Sequence, residues 1–474
     1  MSAKKIGLIT AVSVIVGNSV GSGIFTTSGF LARDIGDPVT ILLMWIVAGG
    51  IVLCGVLTYY RLYLKWPESG GEFIYISKRF GPLAGFLSGW TSFTFGFGAA
   101  IAASAISFGY FLDGALSSYL NIGSEDVVGY LSNDGDIGAG FVVINPIVVS
   151  VMLISIITLF HTVSVSISGR VQFYLTLIKV LVIVSIFFMG FYIIYDDYNS
   201  HRYTTYGGLF IDNFVNGSVN DDVSIFDMAI GMVFIMYAYS GWNAINYISE
   251  EIENPKENML KAMVFSVAII VFLYVFLNFI YFSSLSIELL SAEPIVPVAE
   301  KSLRALLGNG VSIIFSLILC VSIMSSISAM VWVAPRVYLK MSKYNDRVPN
   351  FVGKENKNSI PINSMFAQST WAVLICLSGT VEEILIYSGF PLLIFSALAV
   401  FSSFGNRFSG ESKLSYFLYS SCSFVFIVFV FFAMVMVFVE KPYISALSIF
   451  TVLLGVLFYY FREIKSFAFY FYNK

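Results

Sequence analysis

The chain has 474 residues, of which 58% are hydrophobic and 12% charged, against about half and a quarter for an ordinary water-soluble domain. With a mean hydropathy of +0.84, this composition excludes a soluble enzyme and makes lipid the expected solvent; at roughly twenty apolar residues per crossing there is room for about a dozen helices. The net charge of -3 lacks the basic excess that nucleic-acid binding requires.

In chain order, the apolar runs predict span 1 at 6–33, span 2 at 39–60, span 3 at 83–112, span 4 at 141–162, span 5 at 170–195 and span 6 at 225–250. They continue with span 7 at 260–284, span 8 at 311–339, span 9 at 362–378, span 10 at 383–403, span 11 at 415–438 and span 12 at 443–461. Lys4 and Lys5 precede span 1 as in a signal peptide, but its polar GNSVGSG interior and the lack of a small-residue cleavage site predict that it is retained. With the N-terminus inside, twenty of the twenty-six Lys and Arg fall in inner segments and five in outer ones, with Lys179 inside span 5. By the positive-inside rule this predicts an integral, multi-pass protein of the plasma (inner) membrane with both termini cytoplasmic. The loop 113–140 carries Asp113, Glu125, Asp126, Asp134 and Asp136 without a Lys or Arg, as an external loop can. The segment 297–308 has apolar residues at helical spacing and is expected to form a short surface helix between spans 7 and 8.

Several chemistries are excluded by what the chain lacks. Cys54, Cys320, Cys376 and Cys422 lie singly inside apolar runs and read as spectator thiols. His161 and His201 are the only histidines, too few for a metal site or a His-based triad, and no GxxxxGK[ST] loop offers a nucleotide site. No metal, cofactor, nucleotide or catalytic residue is therefore expected.

Two spans are interrupted. Span 1 contains Gly17-Asn18-Ser19-Val20-Gly21-Ser22-Gly23 and span 6 contains Ser240-Gly241-Trp242-Asn243. Unwound backbone costs several kcal/mol per unpaired group in lipid, so it persists only where it lines a cavity or is buried in protein. Free amides that start a second half-helix suit an anion such as a carboxylate, and carbonyls that end a first half suit a cation. Glycines can instead serve close helix packing, a reading that the polar residues between them disfavour in span 1. Interruptions in the first and sixth spans suggest a five-helix repeat, 6–195 and 225–403, followed by spans 11 and 12 at 415–461. An odd-numbered repeat crosses in the opposite sense the second time, which gives inverted symmetry with a site near the midplane.

These residues resemble those of the amino acid–polyamine–organocation (APC) superfamily, in its L-type amino acid transporter branch. Gly21-Ser22-Gly23-Ile24-Phe25 looks like the family's helix 1 signature. Glu68-Ser69-Gly70-Gly71-Glu72-Phe73-Ile74-Tyr75-Ile76, with Phe80-Gly81-Pro82-Leu83 and Gly89-Trp90, is similar to its PxSGGxYxYI…FGPLxxFLxxW stretch. Tyr237 to Asn243, with Glu250-Glu251 and Asn254-Pro255, resembles FAYxGWNxxNxxxEExxNP; Pro335-Arg336 and Asp346-Arg347-Val348-Pro349 resemble the run after helix 8. The resemblance implies an all-α, LeuT-like fold of twelve transmembrane helices, a five-plus-five inverted repeat with helices 1 and 6 broken, and transport of amino acids. It implies that Ser22 and Gly23 hold the substrate carboxylate, that the carbonyls of Ser19, Tyr237 and Ser240 hold its ammonium, and that Trp242 and Asn243 shape the side-chain pocket. Tyr237 also falls where the family places an aromatic gate. Ser240 stands where carriers of cationic substrates can have Asp, so a neutral L-amino acid is the expected substrate.

Lys179 lies within the apolar run of span 5, where a charged residue costs about 2.5–3.5 kcal/mol and marks function by default. Sodium-independent relatives place such a lysine where sodium-coupled ones bind the ion. Gly17 and Ser326, with Ser322 behind, are the implied partners, which leads to expected sodium independence and proton-linked or antiport coupling. No disulfide-linked accessory subunit is expected. A transporter-derived sensor that binds without net transport is the alternative; a membrane-embedded enzyme would need His, Asp or Glu clustered at membrane depth.

Overall fold

The computed structural model describes residues 6–120, 144–163, 165–200, 223–344, 352–356, 360–405, 407–408 and 410–472. Four of the acidic residues singled out between spans 3 and 4, the Asp346–Pro349 motif and His201 lie outside these residues. Among the described residues, eight helices are long and apolar enough to cross a bilayer, or nine with a helix pair bent by 43° counted as one.

That bent pair is span 1, formed by α1 (Leu8–Ser19) and α2 (Gly23–Ile35). Span 2 is α3 (Pro38–Lys65), whose start is set by Pro38 and by Asp37, which accepts from the Thr40 amide. After α4 (Glu72–Phe80), span 3 runs through α5 (Pro82–Thr91), a π-helical stretch Ser92–Ala99 and α6 (Ala100–Tyr119). The π stretch has a partner for its displaced backbone, since Trp371 Nε1 donates to the Thr94 carbonyl at 3.0 Å. Spans 4 and 5 are α7 (Pro146–His161) and α8 (Val165–Ser200).

Span 6 divides into α9 (Ile225–Ala238), opened by a Ser224–Asp227 capping box, and a 3-10 helix Ala244–Glu251. Then follow α10 (Pro255–Ser284), α11 (Ile287–Ser291) and α12 (Val298–Tyr344), which kinks at Gly308. The last four are α13 (Ile362–Cys376), α14 (Val381–Phe401), α15 (Lys413–Glu440) and α16 (Pro442–Tyr472). Spans 4, 6 and 9 thus fall on helices of 16, 14 and 15 residues.

The segment expected as a surface helix is packed into the protein instead. Val298, Glu300, Ser302 and Leu303 are buried, and a side chain at Gly29 of α2 would strike Ile295 O and Val298 Cγ2 at 2.6 Å. Burial pulls the Lys301 ammonium down to about 8, against the opposing charge of Glu300 and Glu293. Lys301 donates to the carbonyl of Leu290 at 3.3 Å and to that of Ala292. The helical spacing was read correctly, but it faces α2 rather than a membrane surface.

At the ends of spans 2, 10 and 11 lies a buried ion pair. Arg61 Nε donates to Glu411 Oε1 at 2.7 Å and Nη2 to Oε2 at 3.2 Å, while Nη1 caps the Ser403 carbonyl at 2.7 Å; both side chains are nearly inaccessible, at 3% and 1%. Removing one partner strands a buried charge. Arg61→Met is expected to cost about 3–5 kcal/mol, and Arg61→Met with Glu411→Leu to recover most of it, measured as detergent-solubilised thermal unfolding; a double variant no more stable than the single one would contradict this.

Candidate functional site

The two broken spans cross antiparallel, with their interruptions in contact. Gly241, at φ +98, lies against the backbone of span 1, where a Cβ would meet Asn18 C and O at 3.0 and 3.1 Å. Gly23 faces the other way, where a Cβ would meet Ala238 Cα at 2.8 Å. Further along α2, Leu31 and Ile35 meet Gly231 of α9. At the opposite end, Ile6 and Ile252 form a bridge in which Ile6 N donates to Glu251 O at 2.8 Å and Glu253 N to Ile6 O at 2.9 Å. The first half of each broken span therefore lies beside the second half of the other.

This arrangement gathers the carbonyl ends of α1 and α9 near the amide start of α2. An α-helix leaves its first N–H groups and last C=O groups without partners of its own, so Ser22 and Gly23 present amides where α1 presents carbonyls. The carbonyl ends are capped from other helices. The Tyr274 hydroxyl of α10 lies 2.8 Å from Ser19 O, the last carbonyl of α1, and 2.8 Å from Ala238 O, the last carbonyl of α9. One phenol thus bridges both ends. Its ring is held edge-on against Trp45, with centroids 5.2 Å apart, and Trp45 offers its carbonyl to Tyr239 at 3.0 Å.

The expected substrate-binding residues fall into two groups. Ser19, Ser22, Gly23, Tyr237 and Ser240 collect at the crossing. The Ser22 hydroxyl pairs with Ser104 at 2.9 Å, the Ser19 hydroxyl is buried without a partner among the described residues, and the Tyr237 carbonyl accepts from the Ser240 amide at 2.9 Å. Ser240 is exposed whereas Tyr237 is buried. Trp242 and Asn243 are directed towards α3 and α4: Trp242 stands edge-on to Tyr59, centroids 4.7 Å apart, and Asn243 Nδ2 donates to Glu72 Oε1 at 3.0 Å. Sequence reasoning missed Tyr274 and Glu72 as members of this assembly. A tyrosine in an apolar run carries no distinguishing signal, but a lone carboxylate closing an SGG turn could have raised Glu72.

Lys179 of α8 is 2% exposed. Its ammonium donates to Gly17 O at 2.8 Å and to Ser326 Oγ on α12 at 2.9 Å. Gly17 lies in the last turn of α1, so the cation sits at the negative end of that half-helix and joins three helices through neutral oxygens. Ser326 in turn lies 3.4 Å from the Ser322 carbonyl, and the Ser322 hydroxyl is buried without a partner among the described residues.

The sequence is similar to those of known proteins. The family model described as amino acid permease matches residues 6–460. The cystine/glutamate transporter of Homo sapiens is 26% identical over 400 residues, 84% of this chain and 72% of the relative. The large neutral amino acids transporter small subunit 2 of Homo sapiens is 26% identical over 401 residues, 84% and 68% respectively. Asc-type amino acid transporter 1 of Mus musculus is 28% identical over 303 residues, 63% of this chain and 52% of the relative, so the match spans about half of that protein.

Tyr274→Phe takes the hydroxyl from both carbonyls, leaving Ser19 O only the Gly21 amide at 2.9 Å, and is expected to lower stability by about 1–3 kcal/mol. Tyr281 serves as the control on the same helix, because its buried hydroxyl has no partner among the described residues; Tyr281→Phe should be neutral or stabilising. Denaturant unfolding of both variants in detergent checks the contrast, and equal effects would refute the bridging role.

Proposed function

The chain belongs to the amino acid permease family, and from that premise we propose that it is a secondary amino acid transporter with twelve spans. In this reading, residues 6–195 and 225–403 form the two inverted repeats, 415–461 forms the appended pair, and both termini lie in the cytoplasm beneath the plasma (inner) membrane. The observation that carries it is the antiparallel crossing of two broken spans, Gly241 on Asn18 and Gly23 on Ala238, because irregular backbone at membrane depth is retained around a polar ligand.

The substrate is an α-amino acid held by its two charged ends. Its carboxylate meets the Ser22 and Gly23 amides at the start of α2, where the helix dipole favours an anion. Its ammonium meets the carbonyl side of the crossing, at Ser19, Tyr237 and Ser240, competing there with the Tyr274 hydroxyl for Ser19 O. Trp242 and Asn243 wall the side-chain end. Ser240 supplies no carboxylate for a cationic side chain, which favours neutral L-amino acids, in keeping with a relative named for large neutral amino acids.

Lys179 supports sodium independence. An ammonium 2.8 Å from Gly17 O and 2.9 Å from Ser326 Oγ occupies the oxygens that a monovalent cation would use and repels one nearby. Coupling is then to protons or to a counter-substrate; the cystine/glutamate transporter is named for two amino acids, which fits antiport. One relative is named a small subunit, and for this chain we propose function without a disulfide-linked companion, because all four thiols are free within helices.

The test is purified protein in liposomes, with each amino acid competing against a labelled neutral one under proton, sodium and counter-substrate gradients. Uptake or exchange of a neutral amino acid without sodium is expected. Failure to carry any amino acid would remove the transport reading, and a strict sodium requirement would remove the role given to Lys179. A narrower check sets Ser22→Pro against Ser22→Ala: the native φ of -66 suits proline, both lose the hydroxyl paired with Ser104, and only proline also loses the amide donor, which is expected to weaken substrate binding at least about tenfold relative to Ser22→Ala. Equal affinity of the two variants in a scintillation proximity assay would argue against the carboxylate site.

A further inference from the structure

We propose that Glu72 is a proton-binding site, and that its protonation releases the second half of span 6 from spans 2 and 10. The inference rests on the transport reading above and names its coupling ion.

Glu72 opens α4 behind the Ser69-Gly70-Gly71 turn, and this turn grips the 3-10 helix of span 6. Ser69 N donates to Glu250 Oε1 at 3.1 Å, and Glu250 N donates back to Ser69 Oγ at 2.9 Å. Gly70 N donates to Asn246 O at 3.3 Å, and Tyr75 OH to Asn246 Oδ1 at 3.1 Å. Gly71, at φ +54, lies so close to Tyr247 that a Cβ would sit 3.0 Å from its ring, which accounts for the glycine pair. Glu72 closes the grip nearest the interruption. Its Oε1 accepts from Tyr59 OH at 2.5 Å, from Asn243 Nδ2 at 3.0 Å and from Ser396 Oγ at 3.2 Å. These donors come from α3, from the span 6 interruption and from α14, so one oxygen joins three spans.

Three donors on one oxygen suit a carboxylate and not a neutral acid, whose carbonyl oxygen is a weaker acceptor and whose hydroxyl must itself find an acceptor. The titratable groups facing Glu72 are the phenols of Tyr59, Tyr75 and Tyr247. On the neighbouring elements, Lys65 lies over the Trp66 ring and Glu250 holds the Ser69 amide. Burial raises Glu72 above the ordinary carboxylate range, with no cation among the described residues offsetting it and three hydrogen bonds opposing it. The step is carboxylate plus proton to carboxylic acid, with the proton taken from and returned to water on the face where the 66–71 loop lies. Protonation weakens the Asn243 contact, three residues beyond Ser240. Proton and amino acid thereby bias the same element, and each alters the affinity for the other.

The experiment measures exchange and proton-gradient-driven uptake in liposomes from mildly acidic to mildly alkaline pH. It uses labelled L-leucine, or whichever amino acid the survey above shows the wild type to carry, with binding of the same compound as the check on folding. E72Q is expected to bind it while its acid-to-alkaline rate ratio falls to about one and proton-driven accumulation disappears; E72D restores a pH profile. S396A removes a donor that favours the ionised form, so its midpoint moves to higher pH by about one unit. A wild-type pH profile in E72Q, an unmoved midpoint in S396A, or a flat profile in E72D overturns the proposal. A wild type that carries amino acids without any pH dependence overturns it alone, whereas one that carries none overturns the transport reading beneath it.

Discussion

Everything at the centre of this molecule depends on giving partners to backbone groups where two helices stop inside an apolar bundle. Each break frees carbonyls at the end of one half-helix and amides at the start of the next, and water is not generally available to bond them. The carbonyl side is answered from outside. Lys179 of α8 takes Gly17 O, and Tyr274 of α10 reaches both Ser19 O and Ala238 O. A cation and a phenol thus stabilise the ends of α1 and α9, while the amides of Ser22 and Gly23 at the start of α2 are the groups such a break offers to an anion. The asymmetry has a direction, since it is the carbonyl side that a cation and a phenol serve.

That arrangement requires the two breaks to lie at one level, and glycine makes this possible. Gly241 has both reasons to be glycine, a positive φ and the Asn18–Ser19 backbone 3.0–3.1 Å from where its Cβ would be. Gly23 has only the second, against Ala238. The close approach lets Tyr274 span two chain ends with one hydroxyl, so packing and polar satisfaction are a single constraint. The same logic recurs at smaller scale, where Trp371 answers the π stretch of span 3 and Gly98 leaves room for its ring.

The breaks were legible in the sequence because glycine and hydroxyl residues stand out in an apolar run, and the span boundaries followed from hydropathy to within several residues. Lys179 was legible for the same reason, as a charge out of place. Tyr274 was not, since its neighbours are aromatic and aliphatic and its role exists only where three helices meet. Span 6 looks like a full crossing in sequence, yet its α-helix stops at Ala238, because unwinding is set by neighbours that hydropathy does not contain. The 297–308 segment was read with the correct period and the wrong environment, as amphipathic spacing cannot distinguish a protein face from a membrane surface. Asn243 donates to Glu72, a pairing between two separate motifs that only the fold brings together.

Lys179 and Glu72 are buried, charge-bearing side chains tied to the broken spans, and their surroundings differ. Lys179 donates to a helix-end carbonyl and a hydroxyl, and the carbonyl belongs to a helix end that itself favours a cation. Its ammonium ties the end of α1 to α8 and α12. Glu72 is surrounded by donors from three separate spans and lies outside the bundle's apolar middle, on a helix that joins spans 2 and 3. Both groups tie a broken span to its neighbours, Lys179 through the end of α1 and Glu72 through Asn243.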